Sequence, residues 1–140
     1  MSIQTIRAAL EARLKAFADA QIPALAIAWQ NVAFKPAPGV AYLRATLLPA
    51  GTLNPSLGMQ HMRYVGLLQV SVVGVPGSGP AAAESIANGL EDHFPRGLRL
   101  TQSGLVISIT NTPSIAPAQQ EPDRFVIPVS VPYRCERITP

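Results

Sequence analysis

Charge is scarce in this chain. Only 14% of its 140 residues are Asp, Glu, Lys or Arg, whereas the surface of a small soluble monomer is about a quarter charged or more. A surface so poor in charge is expected to be covered in part by partners. Cysteine is nearly absent too: Cys135 stands alone, so no intrachain disulfide forms and the redox compartment is left open. No apolar run reaches membrane-spanning length, so no membrane partner is expected. Met1-Ser2-Ile3-Gln4 leads straight into a helical pattern of mixed charge, unlike the charged stub and apolar core of a signal peptide. Basic residues outnumber acidic ones, for a formal charge of +3 and a pI near 9.5. No basic run occurs, which makes this weak support for nucleic-acid binding.

The signatures of common chemistries are missing as well. The turn Gly74-Val75-Pro76-Gly77-Ser78-Gly79-Pro80 ahead of a helix invites a phosphate-loop reading, because amides at a helix N-terminus attract anions. A phosphate loop ends in Gly-Lys-Ser/Thr, yet here Gly79 is followed by Pro80 and Ala81, with no lysine and no hydroxyl for magnesium. The plain reading is a strand-to-helix turn. His61, His93 and Cys135 are far apart and no pair has ligand spacing, so no metal is expected. His93 reads as a polar residue at a helix end, favoured there when charged. No Gly-x-Ser-x-Gly elbow is present, and the neighbours Asp92-His93 and Glu91-Asp92 point apart on a helix. Neither an enzyme nor a cofactor is expected. The aromatic residues fall mostly on core-facing periodicities, which leaves a stacking platform for single strands with little support.

What is present is a run of alternating and helical patterns in a length that fits one domain, residues 1–140. Ile3, Ile6, Leu10, Leu14 and Phe17 form a helical stripe from Ser2 to about Ala20, with Ser2 as N-cap and Arg7, Glu11 and Lys15 at four-residue spacing on the other side. Leu25, Ile27 and Trp29 alternate with small or polar residues as a strand. A Pro/Gly loop then leads to a second strand from Tyr42 to Leu48, closed by Pro49, and the default pairing of these two strands is antiparallel. Tyr64 to Val75 is the longest strand pattern. After its turn, Ala83, Ile86, Ala87, Leu90 and Phe94 mark one face of a second helix, which Pro95 stops. Two short strands flank Ser103-Gly104 as a hairpin. Phe125 to Tyr133 is the last strand. Its prolines, Pro128 and Pro132, direct their backbone groups to one edge, so that strand is expected at the border of the sheet. The fold class is therefore α+β, a mixed or mainly antiparallel sheet with two helices packed on one face.

Two stretches read as long loops, 49–62 and 113–123. The first carries Leu53, Leu57, Met59 and Met62, apolar side chains poorly suited to a solvated loop, and is expected to be an assembly arm. The alternative is that these residues cap the chain's own core.

The ordered set Ala28-Trp29-Gln30-Asn31, Phe34-Lys35-Pro36, Tyr42-Leu43-Arg44, Leu48-Pro49-Ala50, Arg63-Tyr64-x-Gly66-x-x-Gln69-Val70-x-Val72 and Ile127-Pro128-Val129-x-Val131-x-Tyr133-Arg134 resembles the tail terminator family of long-tailed bacteriophages, including its prophage-encoded members. The resemblance runs over nearly the whole chain. It implies a small α+β structural protein of the virion, assembled in the host cytoplasm, that forms a ring, usually a hexamer, on the head-proximal end of the tail tube. Its partners would be further copies of itself, the tail tube protein and a head-tail connector protein, with DNA only passing through the ring. The competing readings are another neck protein of the head-tail connection and a nucleic-acid-binding module.

Overall fold

In the computed structural model, which describes residues 2–55, 57, 61–122 and 124–138, the first helix, α1, spans Ser2–Ala20. Ile6, Leu10, Leu14 and Phe17 are buried as the stripe requires, but Ile3 is left exposed. Ser2 opens the helix instead of standing ahead of it as a cap. On the polar side Arg7 pairs with Glu11 at 3.2 Å and Lys15 with Asp19 at 3.1 Å, both four residues apart. The second helix, α2, spans Ala81–His93 with Pro80 at its N-cap. The Pro80 carbonyl accepts the Glu84 amide at 2.9 Å, and the amide hydrogen that proline lacks would have had no helical partner there. Ala83, Ala87 and Leu90 are buried with Phe94, whereas Ile86, expected among them, is half-buried.

The strands are β1 (Ala26–Ala28), β2 (Tyr42–Leu53), β3 (His61–Gly74), β4 (Arg99–Gln102), β5 (Leu105–Ile109), β6 (Ser114–Ile115), β7 (Gln119–Glu121) and β8 (Arg124–Ile138). They form one mixed sheet in the order β1-β2-β3-β8-β5-β4, with β6 and β7 also on β8. β1 and β2 pair in parallel, not as the antiparallel neighbours expected. Residues 29–41 between them carry the chain back to the start of the sheet, and a connection of about a dozen residues is what a parallel pairing needs. The remaining pairs are antiparallel.

Three further expectations are corrected. Pro49 does not end β2: the strand takes a register shift between Pro49 and Gly51 and continues to Leu53. A bulge is one of the few places where a strand tolerates proline. Strand pairing therefore enters both ends of the expected 49–62 loop. The 113–123 stretch likewise contains β6 and β7. Lastly, β8 is not at the border but inside the sheet, between β3 and β5. Its prolines do share one edge, and that edge is covered by three short strands in succession instead of one long one. Pro128 falls between the β7 and β6 pairings and Pro132 between those of β6 and β5. There the missing donors interrupt no ladder, and the proline carbonyls accept amides from Ala116 at 2.9 Å and Thr110 at 3.2 Å.

The core is built on cross-strand rows. Leu43-Val72-Ile127, Ala45-Val70-Val129 and Leu47-Leu68-Val131 stand side by side on β2, β3 and β8, and none is more than 3% exposed. Burying each Val, Leu or Ile contributes about 1.5–3 kcal/mol. Ser103 and Gly104 turn the β4–β5 hairpin with φ of 50° and 82°, the left-handed pair that a two-residue turn demands.

Candidate assembly surface

The far end of the β2–β3 hairpin concentrates exposed apolar side chains. Leu48 is 41% exposed, Leu53 is 51% exposed and Leu57 is fully exposed. Met62 differs: it is half-buried in β3, and its sulfur accepts the Tyr64 hydroxyl at 3.6 Å. Met59 lies outside the described residues. Of the four side chains singled out in the sequence, the structure thus places Leu53 and Leu57 in solvent and leaves Met62 half-buried beside Tyr64. Leu48 was missed, although alternation with buried Leu47 on one strand carries the signal. Ile3 was missed because its helical stripe reads as core. It borders a cavity of 320 Å³ beside the bulge in β2, shared with Ile6, Pro49, Tyr64 and Tyr133.

The same hairpin has an open backbone edge. β1 covers β2 only from Tyr42 to Arg44. Farther along, the Leu47 amide donates to the Gln30 Oε1 at 3.0 Å, and Arg7 donates to that oxygen at 3.0 Å as well. Gln30 so stands in for one rung of a missing strand. Among the described residues no strand covers the remainder of that edge, and unpaired amides and carbonyls are a template for pairing with another chain.

Away from the hairpin, the polar groups hold the fold. Arg13 donates through Nε and a terminal nitrogen to the His93 carbonyl at 3.1 and 2.8 Å, and the His93 Nε2 lies 2.9 Å from the Arg13 carbonyl. This reciprocal pair ties α1 to the end of α2. Phe17 closes the contact, 5.4 Å from the His93 ring and against Gly89, where an added Cβ would approach it to 3.0 Å. His93 sits at the helix end as a polar residue, and burial pushes its pKa below 6.5, with the hydrogen bond to the Arg13 carbonyl opposing the shift and the Arg13 charge adding to it. Burial, and then the Glu136 charge, pushes the Cys135 thiol up. Among the described residues no group of three or more His, Cys, Asp or Glu side chains gathers to hold a metal ion, and no helix is long and apolar enough to cross a membrane.

Comparison with known proteins adds the family. The model of the family described as phage tail terminator protein matches residues 5–133. A solved structure without a descriptive name is 36% identical, with a TM-score of 0.84 over 100% of this chain and 99% of that one. A second, from the virion of a native gene transfer agent particle, is 20% identical with a TM-score of 0.68 over 96% of each chain, a likeness of fold. No curated protein matches.

Proposed function

The chain belongs to the phage tail terminator family and is a structural protein of the phage virion; from this premise we propose that it caps the head-proximal end of the tail tube as a ring, ends tube polymerisation and provides the head-joining surface. The observation that carries the reading beyond the family is the hairpin end, where exposed Leu48, Leu53 and Leu57 accompany a strand edge that no strand covers among the described residues. A capping protein needs one surface for the tube and flanks for its neighbours. Head-to-tail contacts between copies close into a ring when the rotation between them divides the circle, and a hexamer is the expected closure. Assembly can wait for the tube as template, so the free chain need not be a ring. We also place both helices on one face of the sheet. The Arg13–His93 pair joining them and the buried cross-strand rows support this, and it frees the other face for partners.

Electron microscopy of particles made without the gene tests the proposal. Tails of runaway length without heads are expected. Tails of normal length with heads unjoined would instead identify a neck protein acting after termination.

A further inference from the structure

The +3 charge is unevenly distributed over the fold. The two helices carry three basic and five acidic residues, a formal −2, and everything outside them carries eight basic and three acidic, a formal +5. Basic residues dispersed in sequence converge here in space. Arg96, Arg99 and Arg134 line one groove of 540 Å³ with Ser108, Thr110 and Glu136. Strand register brings them together: Arg99 stands beside Ser108, and Ser108 beside Arg134, on β4, β5 and β8. Two strand spacings separate the Arg99 and Arg134 backbones by about 10 Å.

These arginines are not consumed by the fold. Among the described residues Arg96 and Arg99 make no ion pair, and Arg134 makes none by direct contact. The one carboxylate of the groove is already engaged, because Arg63 donates twice to the same Glu136 oxygen, at 2.9 and 2.7 Å. The groove therefore keeps an excess of unneutralised guanidinium.

We propose that this groove binds the phosphate backbone of double-stranded DNA. Guanidinium forks and the Ser108 and Thr110 hydroxyls suit phosphate oxygens, and such contacts position a duplex without reading its bases. No aromatic side chain lines the groove, which disfavours single strands held by base stacking. The groove is open: at Gly97 and Gly104 even an added Cβ would meet nothing within 4 Å. The site lies within one chain and does not depend on ring closure.

Fluorescence anisotropy of a labelled duplex of arbitrary sequence, titrated with the isolated chain, tests this. Neutralising three phosphates predicts an affinity that falls about 40-fold between about 50 and about 200 mM salt. Arg96→Ser/Arg99→Ser/Arg134→Ser is expected to remove most of that dependence while keeping the melting temperature of the parent. Hydrogen exchange on the unaltered protein reads the site without any variant: DNA is expected to slow exchange within 97–110 and 132–136. Absence of binding at low salt, undiminished binding by the triple variant, or protection elsewhere would each overturn the proposal. Because the isolated chain is used, such a failure leaves the capping role standing.

Discussion

Gly66 occupies the middle of β3 for a steric reason. A Cβ built there would lie 2.6 Å from both the Leu48 carbonyl oxygen and the Tyr133 hydroxyl, so the two flanking strands close over the bare backbone. Tyr133 is itself buried, and the Leu48 carbonyl belongs to a paired strand, so neither yields easily. Gly66→Ala is expected to cost about 1–3 kcal/mol, the usual range for overpacking, seen as a lower midpoint in urea unfolding. His93 supplies a pH signature. Its native pKa lies below the ordinary 6.5, so the unfolded chain takes up the proton first as pH falls. The stability that depends on neutral His93 is complete above about 6.5 and is lost between that value and the lower native one. His93→Gln is expected to be less stable than the parent at pH 7.5, with the gap in melting temperature narrowing toward pH 5. Glu136, whose carboxyl the Arg63 hydrogen bonds hold below its usual 4.5, acts in a more acid window and does not mask the effect.

At the scale of elements, α2 ranks its own residues. Leu90 is fully buried and Ile86 only partly, though both lie on the helical stripe. Leu90→Ala is expected to cost about 2–5 kcal/mol and Ile86→Ala clearly less, measured by chemical unfolding. Equal costs would mean that the helix is rotated from the face described. The last strand carries a separate lesson. Proline spacing reveals which edge of β8 lacks donors, but an edge without two donors can lie at the border of a sheet or beneath several short strands. Which it is depends on whether other segments of the chain reach it. Ala116 and Thr110 do, and their amides meet the proline carbonyls.

For the whole molecule, the hairpin end separates assembly from stability. Leu53 and Leu57 are exposed, so Leu53→Ser/Leu57→Ser is expected to change the stability of the isolated chain by no more than about 0.5 kcal/mol per site, as for ordinary surface substitutions. The same variant is expected to fail in capping tubes, read as long, headless tails by electron microscopy. A marked drop in monomer stability would show that these leucines belong to the core, and normal tails would remove them from the assembly surface.

Local patterning by itself determined both helices, the long β3 strand, the Ser103-Gly104 hairpin and most of the core, because periods of 3.6 and 2 translate directly into buried faces. It also supplied the apolar character of the hairpin end at Leu53 and Leu57. Only the tertiary structure decided the parallel β1–β2 pairing, the central place of β8, the exposure of Ile3 and the half-burial of Met62. Each depends on which distant segments come to lie alongside, and residue spacing within one element carries no record of that. The arginine groove is the clearest instance. Arg96, Arg99 and Arg134 look unrelated along the chain and become neighbours only when β5 pairs with β4 on one side and β8 on the other.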